Sequence, residues 1–470
     1  FVWTEGGADD PITSFSKQLF AKKRGRPLDS TPLLKKCSAF FKGGDGMIWT
    51  GTVAIAVLLV AYANGANDNF KGVATLFGSG TTDYRKALSW ATLTTFSGSV
   101  AAFFFATSLV KTFTGKGLVP DALISNPAFL AAVAIGAGLT VLFAARFGIP
   151  ISTTHGLTGA LAGAGLTAIG TELGFGTLGK NFVMPLLLSP FVAIVLTATL
   201  YLIMHQSRKV LGVTRKSCLC VGEKVTPLFV SPEGLQKALS SPNALIGDPK
   251  SWIPAFAGMT RASLALVLSR AGLMKNQPGM TPLVGLRIPE VMVGNKASCD
   301  ARAIETYQGK ILGISAQSVL DFLHFLSAGA VSFARGLNDT PKIVALIVAS
   351  GALGLRWNIG LVALAMAAGG VLCARKVAET VSHKITYMNH GRGFSANFVT
   401  AILVIFASHW GMPVSTTHVS CGALFGLGLV NGKARWNGIA SILGAWVLTL
   451  PVAAILSAGS YFVFQSLLSS

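Results

Sequence analysis

The chain has 470 residues, 51% of them hydrophobic and only 12% charged, against roughly a quarter charged in ordinary soluble domains. A mean hydropathy of +0.61 with 53 glycines excludes most water-soluble classes and points to a polytopic helical protein whose partner is the lipid bilayer. The net charge of +20 does not mark a nucleic-acid binder: residues 1–46 hold 8 Lys/Arg against 5 Asp/Glu and residues 207–310 hold 14 against 6, both beside apolar segments and without an aromatic-interleaved basic groove.

In chain order, residues 1–46 form a basic N-terminal tail with no apolar run of the signal-peptide kind. A crossing helix needs about 20 apolar residues. The first membrane half, 47–206, offers stretches at 47–64, 87–110, 128–146, 150–170 and 182–204. Residues 207–310 mix proline with charge and hold no convincing span, so they read as a poorly ordered extramembrane insert. The second half, 311–470, offers 311–334, 342–356, 358–374, 395–410, 412–430 and 438–467. The expected class is an all-α polytopic membrane protein with about 10–12 membrane segments, several of them short or broken by Gly and Pro. Six scattered cysteines give neither a disulfide framework nor a zinc spacing, and no metal or other cofactor is expected beyond a coupling cation.

Internal repetition is the strongest feature. Gly65-Ala66-Asn67-Asp68-Asn69-Phe70-Lys71 and Gly336-Leu337-Asn338-Asp339-Thr340-Pro341-Lys342 share the pattern G-x-N-D-x-x-K. Gly148-Ile149-Pro150-Ile151-Ser152-Thr153-Thr154-His155 matches Gly411-Met412-Pro413-Val414-Ser415-Thr416-Thr417-His418. The two motifs lie 83 residues apart in the first half and 75 in the second, so one half is a copy of the other.

Only seven acidic side chains lie in the membrane halves, Asp68 and Asp339 among them, and a charge at the bilayer centre costs at least about 2.5–3.5 kcal/mol. On a helix Asn67, Asp68 and Lys71 share a face, where they satisfy one another or a passing ion, and so do Asn338, Asp339 and Lys342. The preceding glycine permits either close helix approach or local unwinding. The bland reading is a structural ion pair; its duplication inside a membrane favours function. Pro-x-Ser-Thr-Thr-His has the form of a half-helix start, with proline in the first turn and hydroxyls capping free amides. Free amides and the positive helix end make an anion site, and two copies, Ser152-Thr153-Thr154 and Ser415-Thr416-Thr417, are suited to converge on one tetrahedral oxyanion. A single copy would be an ordinary capped helix. For His155 and His418 three roles fit: bonding the anion, relaying a proton or locking the cap. Asp321 and His324, one turn apart, are expected to form a local pair lining a polar cavity.

On these four motif matches the chain resembles the inorganic phosphate transporter (PiT) family, over both membrane halves. The resemblance implies two inverted repeats with re-entrant hairpins carrying the Ser-Thr-Thr-His segments, a central site for inorganic phosphate, and a homodimer in the plasma membrane. Carried over, Ser152, Thr153, Thr154, Ser415, Thr416 and Thr417 would hold phosphate, and Asn67, Asp68, Asn338 and Asp339 would serve the coupling cation, proton or sodium. Many relatives have a small residue where this chain has Lys71 and Lys342, and an ammonium there would stand in for sodium, shifting the protein toward proton coupling, or add charge for the anion. Inverted halves cross an odd number of times, so tail and insert fall on opposite sides, and the more basic insert is assigned to the inside. The rival substrate is sulfate. The rival classes are a membrane-embedded enzyme using Ser, His and Asp, which the duplication disfavours, and a nonselective channel, which charged residues in broken helices disfavour.

Overall fold

The computed structural model of the chain describes residues 44–105, 107–211, 213, 217–230, 281–295, 312–350 and 354–469. The tail through residue 43 and the insert segments 231–280 and 296–311 lie outside the described residues. The first half contributes α1 (Gly44–Asp68), α2 (Ala74–Gly78), α3 (Tyr84–Phe105), α4 (Thr107–Phe113), α5 (Asp121–Ile124), α6 (Pro127–Phe147), α7 (Thr153–Ile169) and α8 (Phe175–Val210). The second half contributes α9 (Ala316–Ala349), α10 (Leu355–Cys373), α11 (Arg375–His383), α12 (His390–His409), α13 (Thr416–Val430) and α14 (Trp436–Ser469). Among the described residues seven helices, α1, α3, α6, α8, α10, α12 and α14, are long and apolar enough to cross a membrane. The eleven stretches read from the sequence also include 150–170 and 412–430, the shorter α7 and α13, and 311–334 and 342–356, which are not two spans but the single helix α9 carrying Asp321, Arg335, Asp339 and Lys342.

The two halves repeat their local grammar. Asn126 caps α6 by accepting the Phe129 amide at 3.1 Å, and Asn389 caps α12 by accepting the Arg392 amide at 3.0 Å. Each of these helices ends just before a left-handed glycine, Gly148 at φ +73° and Gly411 at φ +69°. After each glycine the chain runs extended through Pro150 or Pro413, then starts α7 or α13 at a serine cap.

Packing also repeats, with partners exchanged between halves. Helix α1 lies against α6 of its own half and α10 of the other, while α9 lies against α12 of its own half and α3 of the other. Likewise α7 packs on α14 and α13 packs on α8. Alanine, glycine and valine fill the interior of the bundle, whereas large apolar side chains such as Phe104 (70% exposed), Phe191 and Val447 point outward, as a lipid-facing surface requires.

The motif glycine serves close approach. Helix α1 runs unbroken through Gly65 and α9 through Gly336, which excludes local unwinding there. A Cβ on Gly65 would fall on the backbone of Met366 and Gly370 in α10, and one on Gly336 on the backbone of Thr95 and Ser99 in α3. Backbone cannot swing aside as a side chain does, so Gly65→Val is expected to exceed the roughly 1–3 kcal/mol of ordinary overpacking. The check is the thermal midpoint of the purified variant; an unchanged midpoint would mean that the helices separate freely.

Two described stretches of the insert, β1 (Ser217–Val230) and β2 (Thr281–Asn295), form with β3 (Leu312–Ser315), just past the insert's end, a three-stranded antiparallel sheet in the order β2-β1-β3. Ser217 pairs with Asn295 and Val230 with Thr281; the register shifts at Pro227, which has no N–H to give the ladder. Such pairing joins segments distant in sequence, and a search for long apolar runs is blind to it.

Candidate functional site

The four motifs meet in one buried polar centre. Asp68 closes α1, and the chain then turns, with the Lys71 amide bonding the Asp68 carbonyl at 3.0 Å. The first-half lysine is therefore carried by a turn and not, as expected, by the helix face; in the second half α9 continues through Pro341 and Lys342 keeps its helical place. Both arrangements bring the ammonium back to its aspartate. Lys71 Nζ bonds Asp68 Oδ1, and Lys342 Nζ lies 3.4 Å from Asp339 Oδ1, with all four side chains buried.

Around each ammonium the remaining hydrogen-bond acceptors are oxygens from both halves. Lys71 Nζ donates to Asn67 Oδ1 (2.7 Å), the Ile151 carbonyl (2.8 Å) and Thr417 Oγ1 (2.6 Å). Lys342 Nζ donates to Thr154 Oγ1 (2.8 Å) and the Val414 carbonyl (2.7 Å). Each lysine thus reaches a threonine of the opposite half's Ser-Thr-Thr-His segment. A ring of carbonyl, amide, hydroxyl and carboxylate oxygens is also how a protein holds a hard cation.

The asparagines fix the extended strands before α7 and α13. Asn67 Nδ2 donates to the Ile149 carbonyl at 2.9 Å while its Oδ1 accepts the Ile151 amide at 3.2 Å. Asn338 Nδ2 donates to the Val414 carbonyl at 3.2 Å and its Oδ1 accepts from Ser408 at 3.1 Å.

Ser152 and Ser415 act as helix caps, each hydroxyl accepting the amide of the histidine three residues on at 3.1 Å. Either serine changed to alanine is expected to cost about 1 kcal/mol and to lower the thermal midpoint modestly. An unchanged midpoint in both variants would mean that the caps do not hold the segments. The other hydroxyls turn to carboxylates and carbonyls. Thr153 donates to Asp68 Oδ2 (3.2 Å), Thr416 to Asp339 Oδ2 (3.4 Å), Thr154 to the Val414 carbonyl (3.3 Å) and Thr417 to the Ile151 carbonyl (2.8 Å). The amides of the first turn, at Thr153 and Thr154 and at Thr416 and Thr417, are the ones that helix geometry leaves without an intrahelical acceptor.

His155 and His418 face each other with ring centroids 4.3 Å apart, and Trp446 stacks on His418 at 3.8 Å. His418 Nδ1 lies 3.2 Å from the Leu186 carbonyl, whereas His418 Nε2 and His155 Nδ1 are buried without a partner among the described residues. The centre thus brings together every residue singled out in the two repeated motifs.

Asp321 and His324 behave otherwise than expected, since they do not bond each other. Asp321 pairs with His390 at 2.5 Å and accepts from Gln317 at 2.7 Å; His324 contacts Thr75 at 3.0 Å and Thr81 at 3.3 Å. A cavity of about 550 Å³, lined in part by Gln317, His390 and Arg392, lies beside them and away from the central motifs. Helix geometry puts residues 321 and 324 near one another, but longer-range partners win both side chains.

Two residues escaped the motif reading, Asn64 and Arg335, each immediately before its motif glycine. Asn64 Nδ2 lies within hydrogen-bond distance of Asp68 Oδ2 (3.1 Å), Thr153 Oγ1 (2.9 Å) and Asp339 Oδ2 (3.2 Å), tying both aspartates together. Both positions precede the motif aspartate by four residues, so extending the i, i+3, i+4, i+7 face one step backward would have found them. Among the described residues no group of three or more His, Cys, Asp or Glu is placed to hold a metal ion.

A family model described as the phosphate transporter family matches residues 64–457. The chain is 26% identical over 429 residues to a candidate phosphate permease of Pyrococcus abyssi, an alignment covering 87% of this chain and 96% of that protein. It is 26% identical over 460 residues to the chloroplastic inorganic phosphate transporter 2-1 of Arabidopsis thaliana, covering 91% of this chain and 75% of that one. Its fold is similar to a solved sodium-dependent phosphate transporter, with a TM-score of 0.60, 23% identity, and coverage of 89% of this chain and 99% of the other. These are transporters and permeases, which sets the enzyme reading aside. With four motif copies gathered in one buried centre and a family match running from Asn64 across nearly all of both membrane halves, this multi-pass membrane chain belongs to the phosphate transporter family.

Proposed function

We propose that this chain is a secondary active carrier that imports inorganic phosphate across the plasma membrane by cation-coupled symport with alternating access. The observation that carries the reading is the crosswise seating of the lysines: Lys71 on Thr417 and Lys342 on Thr154. A polar centre built jointly by two halves opens to either side when one half rocks on the other. We read the halves as inverted repeats and α7 and α13 as re-entrant. At about 1.5 Å per residue these helices reach roughly 25 and 23 Å, short of a hydrocarbon core about 30 Å thick. The family resemblance adds a homodimer, each protomer with a full site.

In this reading phosphate binds at the first turns of α7 and α13, where backbone amides and the helix dipoles favour an anion. Ser152 and Ser415 hold those turns in shape, while Thr153, Thr154, Thr416 and Thr417 exchange carboxylate and carbonyl acceptors for phosphate oxygens. Asn67, Asp68, Asn338 and Asp339 form the coupling set with Lys71 and Lys342. His155 and His418, paired between the two turns, are placed to pass a proton. The lysine ammoniums fill oxygen-lined positions that would otherwise suit sodium, which supports a proton as the coupling ion.

Radiolabelled phosphate uptake into proteoliposomes tests this. Uptake is expected to follow a proton gradient with no sodium present; robust uptake driven by a sodium gradient alone would sink the proton version.

One observation favours sulfate as a second reading. Phosphate at neutral pH carries a proton to donate and sulfate does not, so a free carboxylate oxygen would select phosphate. Here every oxygen of Asp68 and Asp339 already has a protein donor within hydrogen-bond distance. Competition by unlabelled sulfate in the same assay separates the two anions.

A further inference from the structure

Arg335 is almost entirely buried, at 1% exposure, and is the largest of the fully buried side chains. Its Nε, Nη1 and Nη2 all lack a hydrogen-bond partner among the described residues. A guanidinium offers five N–H donors, and burying a charged donor without acceptors is among the costliest things a fold can do. A guanidinium kept for packing would be expected on carbonyls or a carboxylate.

The reason it has no carboxylate is visible next door. Arg335 shares the face of α9 with Asn338, Asp339 and Lys342, at intervals of three, four and seven residues. Even so, it forms an ion pair with neither Asp68 nor Asp339, which are held by Lys71 and Lys342. Asp68 Oδ1 is taken by Lys71 and its Oδ2 by Asn64 and Thr153. Asp339 Oδ1 is taken by Asn338 and Lys342, its Oδ2 by Asn64 and Thr416. In formal charge the centre holds three cations, Lys71, Lys342 and Arg335, against two carboxylates. It is one negative charge short.

We infer that Arg335 is the residue that receives the transported oxyanion, its planar fork taking two oxygens of one tetrahedral anion beside the first turns of α7 and α13. Planar bidentate recognition is what distinguishes guanidinium from ammonium, and an anion of one negative charge brings the centre to neutrality. The inference also explains how duplicated motifs make a single site. The matching position in the first half is Asn64, neutral and turned to Asp68, Thr153 and Asp339, so only the second half presents a fork. The identity of the anion as phosphate rests on the carrier reading above.

The test uses the full chain, purified and reconstituted, unmodified and as Arg335→Gln and Arg335→Lys. Uptake of labelled phosphate and of labelled sulfate is measured across concentration, and thermal midpoints are taken with and without each anion. Losing a charge-assisted bidentate contact is expected to raise the half-saturating phosphate concentration of Arg335→Gln about tenfold to a hundredfold. The same variant is expected to lose the phosphate-induced rise in midpoint, while melting no lower than the unmodified protein when no anion is present, since an unpaired buried charge has gone. Arg335→Lys, with charge but no fork, is expected to fall between.

Unchanged half-saturation and an unchanged anion-induced shift in Arg335→Gln overturn the proposal. So does a variant that melts lower without anion, is restored by lysine and responds normally to phosphate, because that describes a packing role. If Arg335→Gln does not fold, Arg335→Lys decides: unmodified half-saturation overturns the proposal. If the unmodified protein carries sulfate and not phosphate, the phosphate reading fails alone, and the same variants read with sulfate decide Arg335. An unmodified protein neither transporting nor stabilised by either anion overturns both.

Discussion

Asp68→Asn is expected to abolish phosphate uptake and to destabilise the protein by about 3–5 kcal/mol, the usual cost of removing one partner of a buried ion pair. The cost comes from what is left behind. Lys71 would keep Asn67 Oδ1, the Ile151 carbonyl and Thr417 Oγ1 as acceptors but lose the carboxylate charge that compensates it at hydrogen-bond distance. The double variant Asp68→Asn with Lys71→Met removes both charges together and is expected to regain most of the lost stability without regaining uptake. Thermal midpoints of the two singles and the double, with uptake for each, close the cycle. If the double variant is as unstable as the single, the stability effect of Asp68 does not run through the lysine.

The second large effect is expected from the opposite deletion. Lys71→Ala leaves the Asp68 carboxylate beside an amide oxygen, a carbonyl and a hydroxyl, a donor set suited to a hard monovalent ion. In choline buffer this variant is expected to lose about 3–5 kcal/mol, as for any broken buried pair. Sodium is then expected to stabilise it in proportion to occupancy, by about 2.7 kcal/mol at a hundredfold excess over the dissociation constant, while leaving the unmodified protein indifferent. Midpoints of both proteins across a sodium titration give the answer. Equal response of the two, or none in either, would mean that the ammonium does not occupy a cation position.

Much of this site is legible in the sequence because it is written twice. G-x-N-D-x-x-K and P-x-S-T-T-H each name polar residues that apolar surroundings would not tolerate alone, and their recurrence at similar separation marks them as one system. The convergence of the copies and the capping serines follow from half-helix chemistry. Asn64 and Arg335 stayed hidden for a specific reason: the two halves place unlike residues at the same offset, so comparing copies erases the position. The turn that carries Lys71 was equally out of reach, since the turn-favouring run Asn67-Asp68-Asn69 before it has a counterpart, Asn338-Asp339-Thr340-Pro341, that stays helical. The pairings Asp321–His390 and β1–β2 share a further cause: both join segments distant in sequence, and local spacing is silent about such partners.

The lysine contacts also bind the two copies of the repeat to a common history. Thr417 is reached by an ammonium 346 positions upstream and Thr154 by one 188 positions downstream, so neither half, cut free and expressed alone, contains the partners its own motif needs. A gene split within the insert would have to supply both fragments to the same bilayer before either centre closed. For the same reason a mutation at Thr417 would find its suppressor at Lys71 in the other copy. After the duplication, each half was free to drift only as far as its twin could follow.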